Sequence, residues 1–154
     1  MKIGLIADTQ GSFDIQALLD HVAKEFAGVD EIWHAGDWGS EDVLIGLREL
    51  GRLVVVNGNA PDDTRYPMTI EGTIGRWRLG MVHDLAKRPA RWAAGFNVVI
   101  HGHTHRWRDE VVAGVRYINV STPTASGFSS ERTAGILTLA QGSVELERVE
   151  FTKP

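Results

Sequence analysis

The chain has 154 residues, 43% hydrophobic and 23% charged, the size and balance of one soluble domain (residues 1–154) with room for a sizeable core. Its net charge of −4 is interspersed, with no basic run, so neither an extended nucleic-acid surface nor an anionic membrane surface is expected. It contains no cysteine, which excludes disulfides and thiolate metal sites and leaves only nitrogen and oxygen to hold a metal.

The opening KIGLIAD is a continuous apolar run that stops at Asp8 and reads as a buried strand. The run is too short for a signal peptide's apolar region or a membrane span, and no other stretch approaches a span, so a cytoplasmic location is expected. Ser12 or Asp14 is placed to cap a helix in which Ile15, Leu18, Leu19, Val22 and Phe26 recur at helical spacing and Gly28 marks the end. EIWHAGD predicts a second strand ending at Asp37. Ser40 opens a second helix, SEDVLIGLREL, closed by Gly51, and RLVVVNGN predicts a third strand ending in asparagines. Three strand–helix units joined by short loops imply an α/β sheet with right-handed crossovers.

The second half reads differently. MTIEGTIGRWRLGMVHD predicts two strands around a glycine turn, AKRPARWAAG a short helix, and NVVIHGH another apolar strand. RDEVVAGVRYINV and AGILTLAQGSVELERVEF predict hairpins turning near Ala113-Gly114 and Gln141-Gly142, so this half is expected to be mainly antiparallel.

Polar residues of one chemical kind follow the apolar strands. The first strand is followed by Asp8 and Gln10, the second by Asp37, the third by Asn57 and Asn59. LGMV is followed by His83 and Asp84, and NVVI by His101, His103 and His105. Ligands in α/β sheets bind beyond the carboxyl ends of strands. Each residue alone is ordinary loop or turn chemistry; their coincidence at five strand ends is not. Carboxylate, amide and imidazole together suit divalent ions such as Mn²⁺, Fe²⁺ or Zn²⁺. Seven such donors exceed what one ion with open positions can use and suit a pair of ions about 3.5–4 Å apart. His103 and His105, two residues apart, are expected on one side of an extended segment. His34 and His101 are expected to be buried histidines that orient ligands rather than bind metal, and His21 to lie on the surface.

Asp8-x-Gln10, Gly36-Asp37, Gly58-Asn59, His83 and GHTH at residues 102–105 resemble, in order, the motif series of the calcineurin-like metallophosphoesterases, and the length resembles the small single-domain phosphodiesterase branch. The resemblance implies a two-sheet β-sandwich flanked by helices, with mixed parallel and antiparallel strands, and two divalent ions, Mn²⁺ foremost with Ni²⁺, Fe²⁺, Co²⁺ or Zn²⁺ as alternatives. Asp37 would bridge both ions. Asp8, Gln10 and His105 would complete the first site, and Asn59, His83 and His103 the second. Asp37, Asn59 and His83 are the residues this assigns to catalysis. The implied reaction is hydrolysis of a small phosphorylated substrate, a phosphodiester in particular, by metal-activated water. Family members often form homo-oligomers.

Three positions depart from the family pattern. Gln10 stands where the family has histidine, a neutral and weaker donor, so the first site is expected to be weak. Ala60 removes a candidate general acid, and Asp84 replaces a glycine, as a turn residue, an extra ligand or a partner of a ligand histidine. INVSTPTASG differs from the NPGS of relatives. Gln10 and Ala60 favour an alternative, a binding or scaffold protein with little catalysis, as in a retromer subunit that resembles this family. Arg65, Arg88 and Arg106 are candidate phosphate contacts, with surface charge as the plainer reading. Trp38 and Trp107 flank the proposed site, where they stack on a substrate or pack the core.

Overall fold

The computed structural model describes residues 1–11, 13–59, 65–124 and 130–151. Ser12 and Ala60, on which two of the expectations fall, lie outside the described residues. In chain order the elements are β1 (Lys2–Ile6), α1 (Ile15–Glu25), β2 (Glu31–His34), α2 (Glu41–Leu50), β3 (Arg52–Val55), β4 (Thr69–Ile74), β5 (Trp77–Val82), a 3₁₀ turn (Leu85–Lys87), α3 (Ala90–Ala93), β6 (Val98–His101), β7 (Trp107–Val112), β8 (Val115–Val120), β9 (Thr133–Leu139) and β10 (Val144–Glu150).

They form two five-stranded sheets, ordered β10-β9-β1-β2-β3 and β4-β5-β6-β8-β7. In the first, β1, β2 and β3 are parallel and β9 and β10 add antiparallel. In the second, β4 pairs antiparallel with β5 and β7 with β8, but β6 runs parallel to both of its neighbours. The mainly antiparallel expectation for this half holds for the β4–β5, β7–β8 and β9–β10 pairs; β6 is the exception, because the segment carrying α3 returns the chain as a crossover to it, and short apolar strands carry no local mark of direction. The predicted 10-residue helix AKRPARWAAG is likewise interrupted, because the proline ring lacks an N–H; a 3₁₀ turn precedes Pro89 and one helical turn follows it.

The continuous apolar run of β1 is explained by burial on both faces. Ile3 and Leu5 join Trp33, Met81, Ile100, Ile118 and Val120 in the core between the sheets. Ile6 faces the other way, into a cluster with Leu18, Val22 and Phe26 of the first helical layer and Val43 and Leu47 of α2. Gly4 is where that layer comes closest, since a Cβ there would lie 2.4 Å from the Phe26 ring. Asp14 caps α1 by accepting from the Ala17 amide, and Ser40 caps α2 by accepting from the Asp42 amide. Among the described residues no helix is long and apolar enough to cross a membrane. The carboxyl ends of β1, β2, β3, β5 and β6 converge, and the site is built there.

Candidate metal centre

Four of the residues expected at the centre hold left-handed backbone: Asp8 (φ 53°), Asp37 (φ 57°), His103 (φ 71°) and His105 (φ 56°). Non-glycine residues rarely take this conformation, each at a cost of order 1–3 kcal/mol, and such strain clusters at functional sites. It also corrects one expectation. His103 and His105 do not share a side by strand alternation, because β6 ends at His101 and the following turn presents both rings through positive φ.

The structure brings the seven expected side chains together. One ligand atom each from Asp8, Asp37 and His83 lie within 4.8 Å of one another. His83 Nε2 is 3.2 Å from Asp37 Oδ2 and 3.9 Å from Asp8 Oδ1, and His105 Nε2 is 3.2 Å from Asp8 Oδ1. Gln10 Nε2 lies 3.5 Å from Asp37 Oδ2 and 3.3 Å from His105 Nε2. Asn59 Nδ2 lies 3.0 Å from Asp37 Oδ2 and 3.3 Å from His103 Nδ1. Asp37 is thus central, with Gln10 and His105 on one side and Asn59 and His103 on the other. The backbone amide of Asn59 donates to Asp37 Oδ1 at 2.6 Å, and Asp8 Oδ2 accepts from the His103 amide at 3.1 Å.

Each nitrogen's role follows from its partners. His83 Nδ1 donates to the Ala35 carbonyl at 2.8 Å, which leaves Nε2 as a lone pair aimed at carboxylates. Asp8 Oδ1, His83 Nε2 and Gln10 Oε1 are buried without a hydrogen-bond partner among the described residues. Asp8 Oδ1 and His83 Nε2, 3.9 Å apart, are facing acceptors that call for a cation between them. Titration points the same way. Burial pushes the His83 imidazole down, but the Asp37 carboxylate 3.2 Å away and the charge of Asp8 raise it above the ordinary histidine value. The Asp8 carboxylate 3.2 Å away, opposed by burial, raises His105. Burial pushes Asp37 up, yet His83, the Asn59 amide and the charge of His103 hold it below the usual carboxylate range. Orphaned oxygen and nitrogen, two carboxylates, three imidazoles and two amides fit divalent cations. Both amides now turn nitrogen to the cluster, so ligation by either requires its oxygen instead.

His34 and His101 are buried neighbours, as expected. His34 is fully buried: Nε2 donates to Thr9 Oγ1 (2.9 Å), whose own proton goes to the Trp38 carbonyl, and Nδ1 accepts from the Gly36 amide (3.1 Å). Burial, with His83 nearby, lowers its pKa to about 3. His101 is lowered to about 4 by burial and by Arg108, whose guanidinium lies 3.3 Å from Nε2. His21 is partly covered, stacking on Phe151 with ring centroids 4.3 Å apart. Asp84 does two things. It caps the 3₁₀ turn by accepting from the Ala86 amide, and its other oxygen stands 3.8 Å from His103 Nε2.

The cluster opens into a cleft of about 1120 Å³ that continues past Arg106 and Trp107 to Glu110. Arg106 lines it, whereas Arg65 is held by Glu41 at 3.1 Å and Arg88 is not among the lining residues. Trp38 is 9% exposed and packs with Leu44, Val55 and Tyr66, and it also lines a smaller cavity beside Gln10, Asp37 and Asn59. Trp107 lies partly in the core and partly in the cleft wall. Sequence reasoning missed Asn119, Ser121, Thr122 and Thr124, which hold the backbone of the site; their only signal was the unusual INVSTPTASG loop.

The sequence model of the calcineurin-like phosphoesterase superfamily domain matches residues 1–142, and the chain belongs to that family. A probable metallophosphoesterase of Methanocaldococcus jannaschii is 30% identical over 133 residues, 80% of this chain and 69% of that one. Among solved structures, wild-type Vps29 of Entamoeba histolytica complexed with Zn²⁺ matches with a TM-score of 0.76 at 21% identity, covering 99% of this chain and 100% of that one. A novel archaeal phosphodiesterase matches with a TM-score of 0.73 at 21% identity, covering 97% of this chain and 100% of that one. At these identities the structural likeness shows the fold.

Proposed function

We propose that the chain is a metal-dependent phosphodiesterase with two cation positions. Asp37 is shared between them, Asp8, Gln10 and His105 complete the first, and Asn59, His83 and His103 complete the second. The observation that carries this is the buried, unpartnered pair Asp8 Oδ1 and His83 Nε2, 3.9 Å apart at the convergent strand ends. When bound, divalent cations polarise phosphoryl oxygens and lower the pKa of a bound water so that it attacks at neutral pH. The chain's own residues do the rest. Ala35, through its carbonyl, keeps the proton of His83 on Nδ1 and Nε2 free. Asp8 ties the His103 turn to the first strand through the His103 amide. Two carboxylates against two divalent ions leave a net positive site, which favours an anionic phosphate over a neutral ester. Family membership and the archaeal phosphodiesterase of the same fold support the diester reading. Mn²⁺ is the ion that the family resemblance suggests, and a donor set of nitrogen and oxygen with no sulfur also suits Fe²⁺, Co²⁺, Ni²⁺ or Zn²⁺.

One observation favours a second reading, a binding protein of low activity: Gln10 places an amide, not an imidazole, between Asp37 and His105. Against it stands the retained strain at Asp8, Asp37, His103 and His105, which a scaffold has no use for. The test is elemental analysis of protein purified without chelator, paired with hydrolysis of an aryl phosphodiester across Mn²⁺, Ni²⁺, Co²⁺, Zn²⁺ and Mg²⁺. Metal-dependent turnover that Asp37→Asn abolishes, in a folded variant, is expected. No turnover with any ion would move the assignment to the binding protein. Faster turnover of an alkyl monoester would refute the diester preference.

A further inference from the structure

The loop after β8 reaches the centre without contributing a ligand. Ser121 Oγ donates to the His105 carbonyl at 2.8 Å, and Thr122 Oγ1 donates to the Asp8 carbonyl at 2.7 Å. Thr124 Oγ1 lies 3.3 Å from the Gln10 carbonyl and 3.4 Å from that of Asp8. Thr122 Oγ1 in turn accepts from the Thr124 amide at 3.1 Å, and the nearest acceptor for its single proton is the Asp8 carbonyl at 2.7 Å, ahead of the Thr124 carbonyl at 3.2 Å. Ser121 and Thr122 are fully buried and Thr124 is 5% exposed. The loop itself is anchored. Ser121 takes a left-handed φ of 63°, and its amide donates to Asn119 Oδ1, while Asn119 Nδ2 donates to Gly102 and Thr104. Thr133 closes the loop from β9 through the Thr122 carbonyl.

These hydroxyls are not distributed evenly. They land on the carbonyls of Asp8, Gln10 and His105, the residues particular to the first cation position. Among the described residues none lands on Asn59, His83 or His103. We infer that Ser121, Thr122 and Thr124 are positioning residues for the first cation position, resting on the two-position reading above. A carbonyl oxygen fixes the peptide plane that follows its residue. Pinning that plane at Asp8 and His105 holds two left-handed residues in the rotation that aims their side chains at each other. The bonds to the Asp8 and His105 carbonyls are buried, where a carbonyl needs a donor; a hydroxyl both satisfies it and sets its direction. The first position needs this more than the second, because Gln10 is a weak donor and a weak donor tolerates less misplacement.

The test is calorimetric titration of the chelator-stripped full chain with Mn²⁺, comparing wild type, Thr122→Val and Thr122→Ser. Valine keeps the shape and removes the donor; serine keeps the donor. Partners that orient metal ligands commonly change affinity about 10–100-fold when removed. Thr122→Val is expected to weaken the first position at least about ten-fold, leave the second unchanged, and be rescued by Thr122→Ser. Ser121→Ala and Thr124→Val, acting on His105 and Gln10, are expected to do the same, so the inference survives if Thr122→Val does not fold. Equal weakening of both positions, no weakening, or a serine variant as weak as valine would overturn it. A wild-type chain that binds a single Mn²⁺ in total would overturn the two-position reading, and this inference with it; two ions bound with no selective loss would overturn this inference alone.

Discussion

Gly58→Ala tests whether the position of Asp37 governs the centre. A Cβ at Gly58 would lie 2.0 Å from Asp37 Oδ1, 2.4 Å from its amide nitrogen and 2.9 Å from its Cα, where ordinary contact begins at 3.4 Å. Rotating the carboxylate away relieves only the first clash, because the other two are with backbone. That backbone is already constrained at φ 57°. The Asp37 segment must therefore move by roughly an ångström, and the 2.6 Å hydrogen bond from the Asn59 amide to Oδ1 is lost or lengthened. A shift of about 1 Å at a reacting centre costs on the order of 100-fold in rate, or about 2.7 kcal/mol. Overpacking costs roughly 1–3 kcal/mol of stability in addition. The assay is kcat/KM on an aryl phosphodiester at saturating Mn²⁺, with a thermal melt to show that the variant is folded at the assay temperature. Gly72→Ala serves as control, since nothing lies within 4 Å of a Cβ there. A folded Gly58→Ala with activity and metal affinity within a few-fold of wild type would refute the central placement of Asp37.

Gln10→His is expected to tighten the first cation position and raise diesterase activity at low Mn²⁺; two equally tight positions in wild type, unchanged by the substitution, would remove Gln10 from the ligand set. His34, neutral when buried with its pKa lowered to about 3, binds a proton in the unfolded chain first, so stability falls as pH drops below the ordinary histidine value of about 6.5. That loss amounts to on the order of 5 kcal/mol by the folded pKa; His34→Gln should flatten the pH dependence of the denaturant midpoint, and an unchanged slope would contradict the buried neutral assignment. Arg106 lines the cleft beside His105 and has no ion-pair partner among the described residues, whereas Arg108 is tied to Glu110 at 2.7 Å and Asp109 to Arg116 at 2.8 Å. Arg106→Ala should raise KM about ten-fold for diesters bearing a second anionic group, the worth of one charge-assisted hydrogen bond. It should leave diesters with neutral leaving groups unaffected, and an equal effect on both classes would show that it reads no second charge.

What was legible in the sequence, and what was not, divides by the chemistry each residue must supply. A metal ligand has to be a particular donor. Asp8, Asp37, Asn59, His83, His103 and His105 therefore stand out by type at the ends of apolar runs, and the structure brings them together. Strand existence was legible for a related reason: β1 is apolar at successive positions because both of its faces are covered. Strand direction was not, since β6 between β5 and β8 carries the same apolar run whichever way it is laid. The turn after β6 was misread because alternation describes extended chain, and aspartate and histidine are among the residues that tolerate left-handed backbone when surroundings enforce it. Those surroundings were the least legible of all. Thr122 reaches Asp8 across 114 residues, and any hydroxyl of the right length would serve, so its sequence signal is indistinguishable from ordinary turn chemistry. Yet this is where the stability question lies. Left-handed residues at Asp8, Asp37, His103, His105 and Ser121 cost of order 1–3 kcal/mol each, a large fraction of a typical domain's net stability of roughly 5–15 kcal/mol. Bringing Asp8 and Asp37 together without a cation adds repulsion to that strain. Hydroxyls pinned on the strained carbonyls offset part of it in the metal-free chain, and a cation shared by the carboxylates offsets the remainder. On the proposed function the hydroxyls and bound cations would stabilise the same distortion, so weakening one should make folding depend more steeply on the other.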